Sequence, residues 1–395
     1  MSSDKKKYLP YGRQVITESD INSVIDVLRS PFLTQGPVVP AFEQSVAAKV
    51  SAKYGVAVNS ATSALHIACL ALGLKSGDLL WTSPITFVAS ANCGRYCGAE
   101  VDFVDIEPST GLISISALRD KLEKAEEIGR LPKILIPVHL TGASCDMEAI
   151  GELANHYGFE VIEDASHAIG GRYQEKPVGS CGFSKICVFS FHPVKIITSG
   201  EGGLATTNVS ELARRMGDLR SHGITKDASR FQQQPAGPWS YEQQMLGFNY
   251  RMTDLQAALG LSQLQRLDCI VKERNQQLNR YRGLLASLPV SQLTVPAAVL
   301  SSVHLAVIRL IQATDRQHRQ VFEGLRADGI GVQLHYSSVH LQPYYRNLGF
   351  KEGDFPEAEL YSSSAISLPL FPGLSEEDQI RVVNSLECIL MQVLD

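Results

Sequence analysis

From about residue 15 to residue 210, short β-branched runs alternate with amphipathic stretches, and this rhythm constrains the fold more than any other feature of the chain. Parallel strands need long crossovers, which helices supply, so such alternation is the mark of an α/β architecture. Strands are predicted near 56–58, 79–82, 101–104, 133–138, 160–163, 186–191 and 203–206, with helices in the gaps. Thr17 with Asp20 forms a capping-box-like start for a helix reaching Leu28, and at Asn59 a strand gives way to a helix beginning near Ala61.

The second half reads differently. Residues 228–240 are rich in Gln, Pro and Gly and read as an exposed loop. A long helical pattern covers 253–288, after which Pro289, Pro296 and the pair Ser301 and Ser302 mark a change of organisation. A strand at 305–311 and helices at 316–327 and 375–394 follow. At 395 residues the chain exceeds one ordinary core. The expected division is a large domain at 1–265, with a mostly parallel central sheet, and a smaller C-terminal α/β domain at 266–395.

A hydrophobic content of 44% with 19% charged residues and a formal charge of -5 describe a globular protein without a nucleic-acid footprint. The Lys5–Lys7 cluster precedes no apolar run of signal length, and no window reaches membrane-span length, so a cytoplasmic location is expected. The eight cysteines show neither C-x-x-C pairing nor zinc spacing, and read as reduced, mostly buried thiols with no metal site.

Chemistry concentrates in three places. In ICVFSFHPVKIITSGEGG, residues 186–203, Lys195 interrupts an apolar segment, with no charged neighbour within five residues. Apolar surroundings disfavour the ammonium and free the amine to attack a carbonyl; the alternative is a lysine snorkelling from a strand end. In NSATSALH, residues 59–66, backbone N–H groups and the hydroxyls of Ser60, Thr62 and Ser63 converge at a helix N-terminus, as an anion site or as simple capping. In FEVIEDASHAIGG, residues 159–171, Asp164 ends a strand at the edge where open α/β sheets bind ligands. Its other role would be a helix cap. Glu163 alternates to the opposite face, and His167 either meets a ligand oxygen or fills a turn.

An anion cradle, a strand-end carboxylate and a desolvated lysine are together the groups that a pyridoxal 5'-phosphate (PLP) site requires. At this point the chain resembles a known family. EDASHA, VFSFHPVK, EGG and GFNYRMTDLQAALGLSQL, with NSATSALH and SPITFVASAN, are similar to the DegT-type sugar aminotransferases over nearly the whole chain. The resemblance implies the PLP-dependent transferase fold type I, with Lys195 as the Schiff-base lysine and catalytic residue. It further implies Asp164 at the pyridine nitrogen, His167 near the phenolic oxygen and Phe87 on the ring face. Thr62, Ser63 and Ser190 would bind phosphate, joined by Asn249 from a neighbouring subunit, so a homodimer is implied. Tyr11, Thr34, Arg251 from the partner, His335 and Tyr336 are implied for the substrate rim.

Within the family, YGRQ at 11–14, LTQG at 33–36, FSFHPVK, and LHY with LQPYY resemble the subgroup serving pseudaminic acid biosynthesis. That subgroup aminates C4 of a UDP-linked 4-keto-6-deoxy-N-acetylhexosamine, with L-glutamate as donor. Histidine at 167, where many relatives carry glutamine, fits it. Lys185, where close relatives often have an acid, and Ser337 with Ser338, in place of a more usual X-Pro, depart from the pattern and are expected to bear on the substrate loop. A dehydratase of this fold would lack the lysine. A non-catalytic PLP-binding regulator would not require the full set Asp164, Ser190, Lys195 and Asn249.

Overall fold

The computed structural model describes residues 8–394, and the Lys5–Lys7 cluster lies outside them. Seven strands form the main sheet: β1 (Tyr54–Val58), β2 (Leu79–Thr82), β3 (Glu100–Phe103), β4 (Ile134–Ile136), β5 (Glu160–Asp164), β6 (Ile186–Ser190) and β7 (Gly203–Thr207). Their spatial order is β1-β7-β6-β5-β4-β2-β3. All adjacent pairs are parallel except those of β7, which runs antiparallel to both β6 and β1. Most core strands are buried on both faces, as helices on either side demand.

This topology decides where chemistry can sit. The carboxyl ends of β1, β5 and β6 share one edge, and β7, being antiparallel, starts there. The register aligns Val58 with Gly203 and Gly203 with Ser190, while Asp164 pairs with Val188. Residues far apart in sequence thus reach one edge.

Helix α1 (Glu18–Arg29) opens with the full Thr17–Asp20 capping box, as its sequence implies. Helix α2 (Val38–Lys49) precedes β1, and α3 (Ala61–Ala71) and α4 (Ala89–Tyr96) follow β1 and β2. The 253–288 pattern is two helices, α5 (Asp254–Leu264) and α6 (Leu267–Leu284), broken at Gln265–Arg266. At the break Arg266 donates to Asp20 Oδ2 at 2.6 Å, and Gln263 and Ser262 bind the same carboxylate, so a tertiary contact sets the bend.

A separate three-stranded antiparallel sheet is built from β8 (Val290–Gln292), β9 (Ala306–Leu310) and β10 (Ala365–Leu368), with β9 central. Its apolar cluster includes Tyr281 and Leu285 but also Leu9, and Leu9 bridges to Ile330. Helix α6 meanwhile packs Leu267, Ile270 and Val271 into a cluster of the main sheet. The first described residues therefore belong structurally with the C-terminal sheet, and α6 joins both bodies.

Residues 228–240 form a loop after a short 3-10 turn (Ala228–Arg230), closed by pairing of Ile224–Thr225 with Glu242–Gln243. Trp239 and Tyr241 stand exposed on it, and Leu246 just beyond its closing strand. Cys69, Cys93, Cys145 and Cys187 are buried, whereas Cys269 and Cys388 are exposed, so burial of the thiols is less general than expected. No helix among the described residues is long and apolar enough to cross a membrane.

Candidate active site

A cavity of about 410 Å³ opens at the shared strand edge, and Tyr11, Thr62, Phe87, Asp164, His167, Ser190, Lys195, His335 and Tyr336 all line it. Lys195 sits in the connection from β6 to β7. Ile196 and Ile197 are buried in the adjoining core and pin the backbone, while Phe191 N–H donates to Gly202 O and Ser199 N–H to Phe191 O. The apolar flanks seen in the sequence are therefore anchors for the loop. Lys195 Nζ has no hydrogen-bond or ion-pair partner among the described residues. Burial pushes its pKa down to about 8, against the opposing attraction of Asp164.

Asp164 is buried at the end of β5. Its Oδ1 accepts from Ser166 N–H at 3.1 Å and its Oδ2 from the Ser90 hydroxyl at 2.6 Å. Glu163, one residue earlier, faces away and accepts from His139 Nε2 at 2.8 Å and from Ser184. Cys145 N–H donates to His139 Nδ1 at 3.2 Å, which leaves Nε2 as the protonated nitrogen facing Glu163. The alternation expected of a strand has separated a cavity acid from a structural one.

At the β1–α3 junction Ser60 is the N-cap, and its Oγ accepts from Ser63 N–H at 3.1 Å. The Ser63 hydroxyl donates to Asn59 Oδ1 at 2.7 Å and lies 3.0 Å from Ser60 Oγ. It does not line the cavity, and its proton is engaged in the cap. The Thr62 hydroxyl, by contrast, meets no partner among the described residues and faces the cavity. A Cβ on Gly203 would collide with the backbone of Ser60 and Ala61, so only glycine lets β7 approach the cradle this closely.

On the opposite wall His167 Nε2 lies 3.1 Å from the Tyr336 hydroxyl, while its buried Nδ1 has no partner among the described residues. Burial, and then the neighbouring Lys195 and His335, hold its pKa well below the ordinary histidine range. His335 is pushed down to about 4 by burial and Lys195, and binds Ser367 Oγ through Nδ1 at 2.9 Å. Burial raises the phenols of Tyr11 and Tyr336. Phe87 is 59% exposed, its ring centroid 6.3 Å from that of Tyr336.

Thr34 is exposed, bridged to Thr253, and does not line the cavity. Asn249 and Arg251 also lie outside their own cavity, on a segment where Tyr250 O accepts from Asn59 N–H and Arg251 pairs with Val58. Lys185 is on the surface 4.0 Å from Glu160, away from the cavity. Ser337 is exposed, whereas the Ser338 hydroxyl is buried against Ala358 O and Ser362 Oγ.

Thr86, Ser90 and His304 are site residues that sequence reasoning missed. His304 lines the cavity with its ring centroid 4.4 Å from that of His167. Nothing near it in sequence marks it out. The i, i+4 hydroxyl pair of Thr86 and Ser90 at a helix start was the available signal for the other two.

The residues present fit PLP. An amine without a partner, a carboxylate with free lone pairs, a helix N-terminus with an uncommitted hydroxyl and an orphaned imidazole nitrogen all meet one cavity. With this set on a sheet of this strand order, the chain falls in the class of PLP-dependent transferases of fold type I.

Residues 14–387 match the model of the DegT/DnrJ/EryC1/StrS aminotransferase family, and the chain belongs to that family: it is a PLP-dependent sugar aminotransferase. It is 37% identical to the spore coat polysaccharide biosynthesis protein SpsC of Bacillus subtilis, over 99% of both chains. Among solved structures it is similar to Helicobacter pylori PseC, an aminotransferase involved in the biosynthesis of pseudoaminic acid. That match has a TM-score of 0.89 and 31% identity, and covers 98% of this chain and 100% of the other. A sugar aminotransferase described as Spr1654 from Streptococcus pneumoniae, in its PMP form, superposes with a TM-score of 0.89 at 29% identity, again over 98% and 100% of the two chains.

Proposed function

We propose that this enzyme moves an amino group from L-glutamate to C4 of a UDP-linked 4-keto-6-deoxy-N-acetylhexosamine. With the β-L-arabino ring the product is UDP-4-amino-4,6-dideoxy-N-acetyl-β-L-altrosamine, an intermediate of pseudaminic acid biosynthesis. One observation carries the reading of the acceptor. The walls around Lys195 hold four imidazoles, of His167, His192, His304 and His335, and no arginine among the described residues, and the pKa values of His167, His304 and His335 lie below the ordinary range. Such a lining offers neutral hydrogen-bonding groups, suited to an uncharged sugar ring. The likeness to PseC supports the C4 ketone, and His167 is the residue expected in that subgroup.

PLP, when bound, supplies a carbonyl for amines and a ring that takes up the electrons released at the donor's Cα. The chain's own groups do the rest. Asp164, an acceptor fixed on two sides, would hold positive charge at the pyridine nitrogen. Lys195, whose lowered pKa makes the free amine accessible near neutral pH, would take up the proton released at the donor's Cα and hold it for return. Thr62 and Ser190 would hold the phosphate with the N-terminus of α3, Phe87 would cover the ring face, and His167, whose Nδ1 is without a partner among the described residues, would meet the phenolic oxygen. Tyr11, His335 and Tyr336 read the sugar.

A second subunit completes the site. Asn249 and Arg251 lie outside their own cavity and reach that of the partner in a cytoplasmic homodimer, Asn249 to phosphate and Arg251 to substrate. Within each chain, residues 1–265 and 266–395 act as cofactor-binding and substrate-closing units, with Leu9 through Tyr11 tying the first to the second.

Supplying glutamate with each C5-epimeric UDP-4-keto-6-deoxy-N-acetylhexosamine in turn, and identifying the products, tests this. Amination confined to the L-arabino epimer is expected. Equal use of both would overturn the narrow assignment, and exclusive use of another nucleotide 4-keto or 3-keto sugar would move the enzyme elsewhere in its family.

A further inference from the structure

The side chain that donates to Asp164 Oδ2 comes from helix α4, away from the strand edge that carries the carboxylate. Ser90 lies in the first turn of that helix and is fully buried. Its Oγ is 2.6 Å from Asp164 Oδ2 and 2.8 Å from Thr86 Oγ1, with Phe87 O at 3.5 Å. A hydroxyl has one proton to give. An ionised Asp164 can only accept, so the Ser90 proton goes to Oδ2, and Ser90 in turn accepts from Thr86. The order Thr86 to Ser90 to Asp164 is thus dictated by the carboxylate being an anion. Ser166 N–H, donating to Oδ1, favours the same state. Both carboxylate oxygens are in this way engaged from the protein side, leaving their remaining acceptor capacity toward the cavity.

The same turn carries Phe87, three residues before Ser90, and Ser90 N–H donates to Phe87 O at 3.3 Å. The hydroxyl bond therefore joins the carboxylate at the end of β5 to the turn that presents the exposed ring of Phe87. Two groups that address one planar ligand, one at its edge and one at its face, are held in a fixed relation by a single side chain.

We propose that Ser90, supported by Thr86, is a positioning residue that keeps the Asp164 carboxylate aimed at the pyridine nitrogen of PLP. It acts through Asp164 and touches no reacting atom. This inference rests on the cofactor and not on which sugar is aminated, so product analysis and the following test fail independently.

The test compares binding of PLP with binding of its 1-deaza analogue, in which carbon replaces the ring nitrogen, to wild-type protein and to Ser90→Ala, Ser90→Thr and Thr86→Val. Hydrogen bonds to charged groups set the scale, so Ser90→Ala should weaken PLP binding by about ten- to a hundredfold while changing affinity for the deaza analogue by less than about threefold. Ser90→Thr, which keeps the hydroxyl, should restore PLP binding, and Thr86→Val should show the same selective loss at smaller amplitude. The absorbance of bound PLP, titrated with pH, should show loss of the ring-nitrogen proton at lower pH in Ser90→Ala. Melting of the cofactor-free proteins separates unfolding from selective loss. Equal weakening toward both ligands, unchanged PLP affinity, or a titration superposable on wild type would each overturn the proposal.

Discussion

Glu163 and Asp164 are neighbours on one strand and have opposite fates. Glu163 faces the interior between sheet and helices, where His139 and Ser184 take up its oxygens. Asp164 faces the cavity, with two protein donors and acceptor capacity to spare. The one is a buried charge whose partners are all protein, and it holds structure. The other is a buried charge whose complement is missing from the chain, and that incompleteness is what a ligand answers. The same contrast separates Lys195, without a partner among the described residues, from Arg274, fully buried but donating to Val303, His304 and Leu370 carbonyls.

The largest effect that would break this contrast belongs to Lys195. Replacing it by alanine should reduce sugar amination by roughly 10³- to 10⁴-fold while leaving the melting temperature of the cofactor-free protein close to wild type, since no protein bond is lost. Asp164→Asn should cost roughly 10²- to 10³-fold in turnover, again with little change in melting, because the amide keeps the shape but not the charge. Glu163→Gln should invert that pattern. It should lower the unfolding free energy by about 1.5–3 kcal/mol, read by denaturant titration, and leave turnover of the folded fraction within a few fold.

The pH dependence sharpens the comparison further. A lysine whose pKa is lowered to about 8 gains its free-amine form as pH rises, so deprotonation-limited half-reactions should accelerate through that range and level off above it. Three of the cavity imidazoles, those of His167, His304 and His335, have pKa values held below the ordinary range and are already neutral there, so they should add no inflection of their own. The smallest expected effect is that of Tyr336→Phe. It removes the hydroxyl that meets His167 Nε2, and should cost about 1 kcal/mol, or roughly fivefold, in turnover.

Much of the fold and of the site is legible in the sequence, for physical reasons that are easy to name. Parallel strands buried on both faces give apolar runs, so β2, β5 and β6 fall within a residue or so of their predicted spans. Strand direction leaves no mark in such runs, and the antiparallel course of β7 is invisible in them. Lys195 and Asp164 stand out because a charge among apolar residues is conspicuous. Ser90 does not, because a serine in a helix start has an ordinary local explanation, and its partner lies 74 positions away. The Gln265–Arg266 break in the long helical pattern has the same origin, a contact with Asp20 that no local pattern encodes. Ser63 shows the local ambiguity: a hydroxyl at a helix start reads as a ligand group, and here it is engaged in its own cap.

The central claim is that the lysine without a protein partner is the one that carries the cofactor. Incubating the protein with PLP, fixing the complex with borohydride and locating the phosphopyridoxyl group by peptide mass spectrometry tests it most directly. A single modified residue, Lys195, is the predicted result, whereas modification at another lysine with Lys195 untouched would contradict the account.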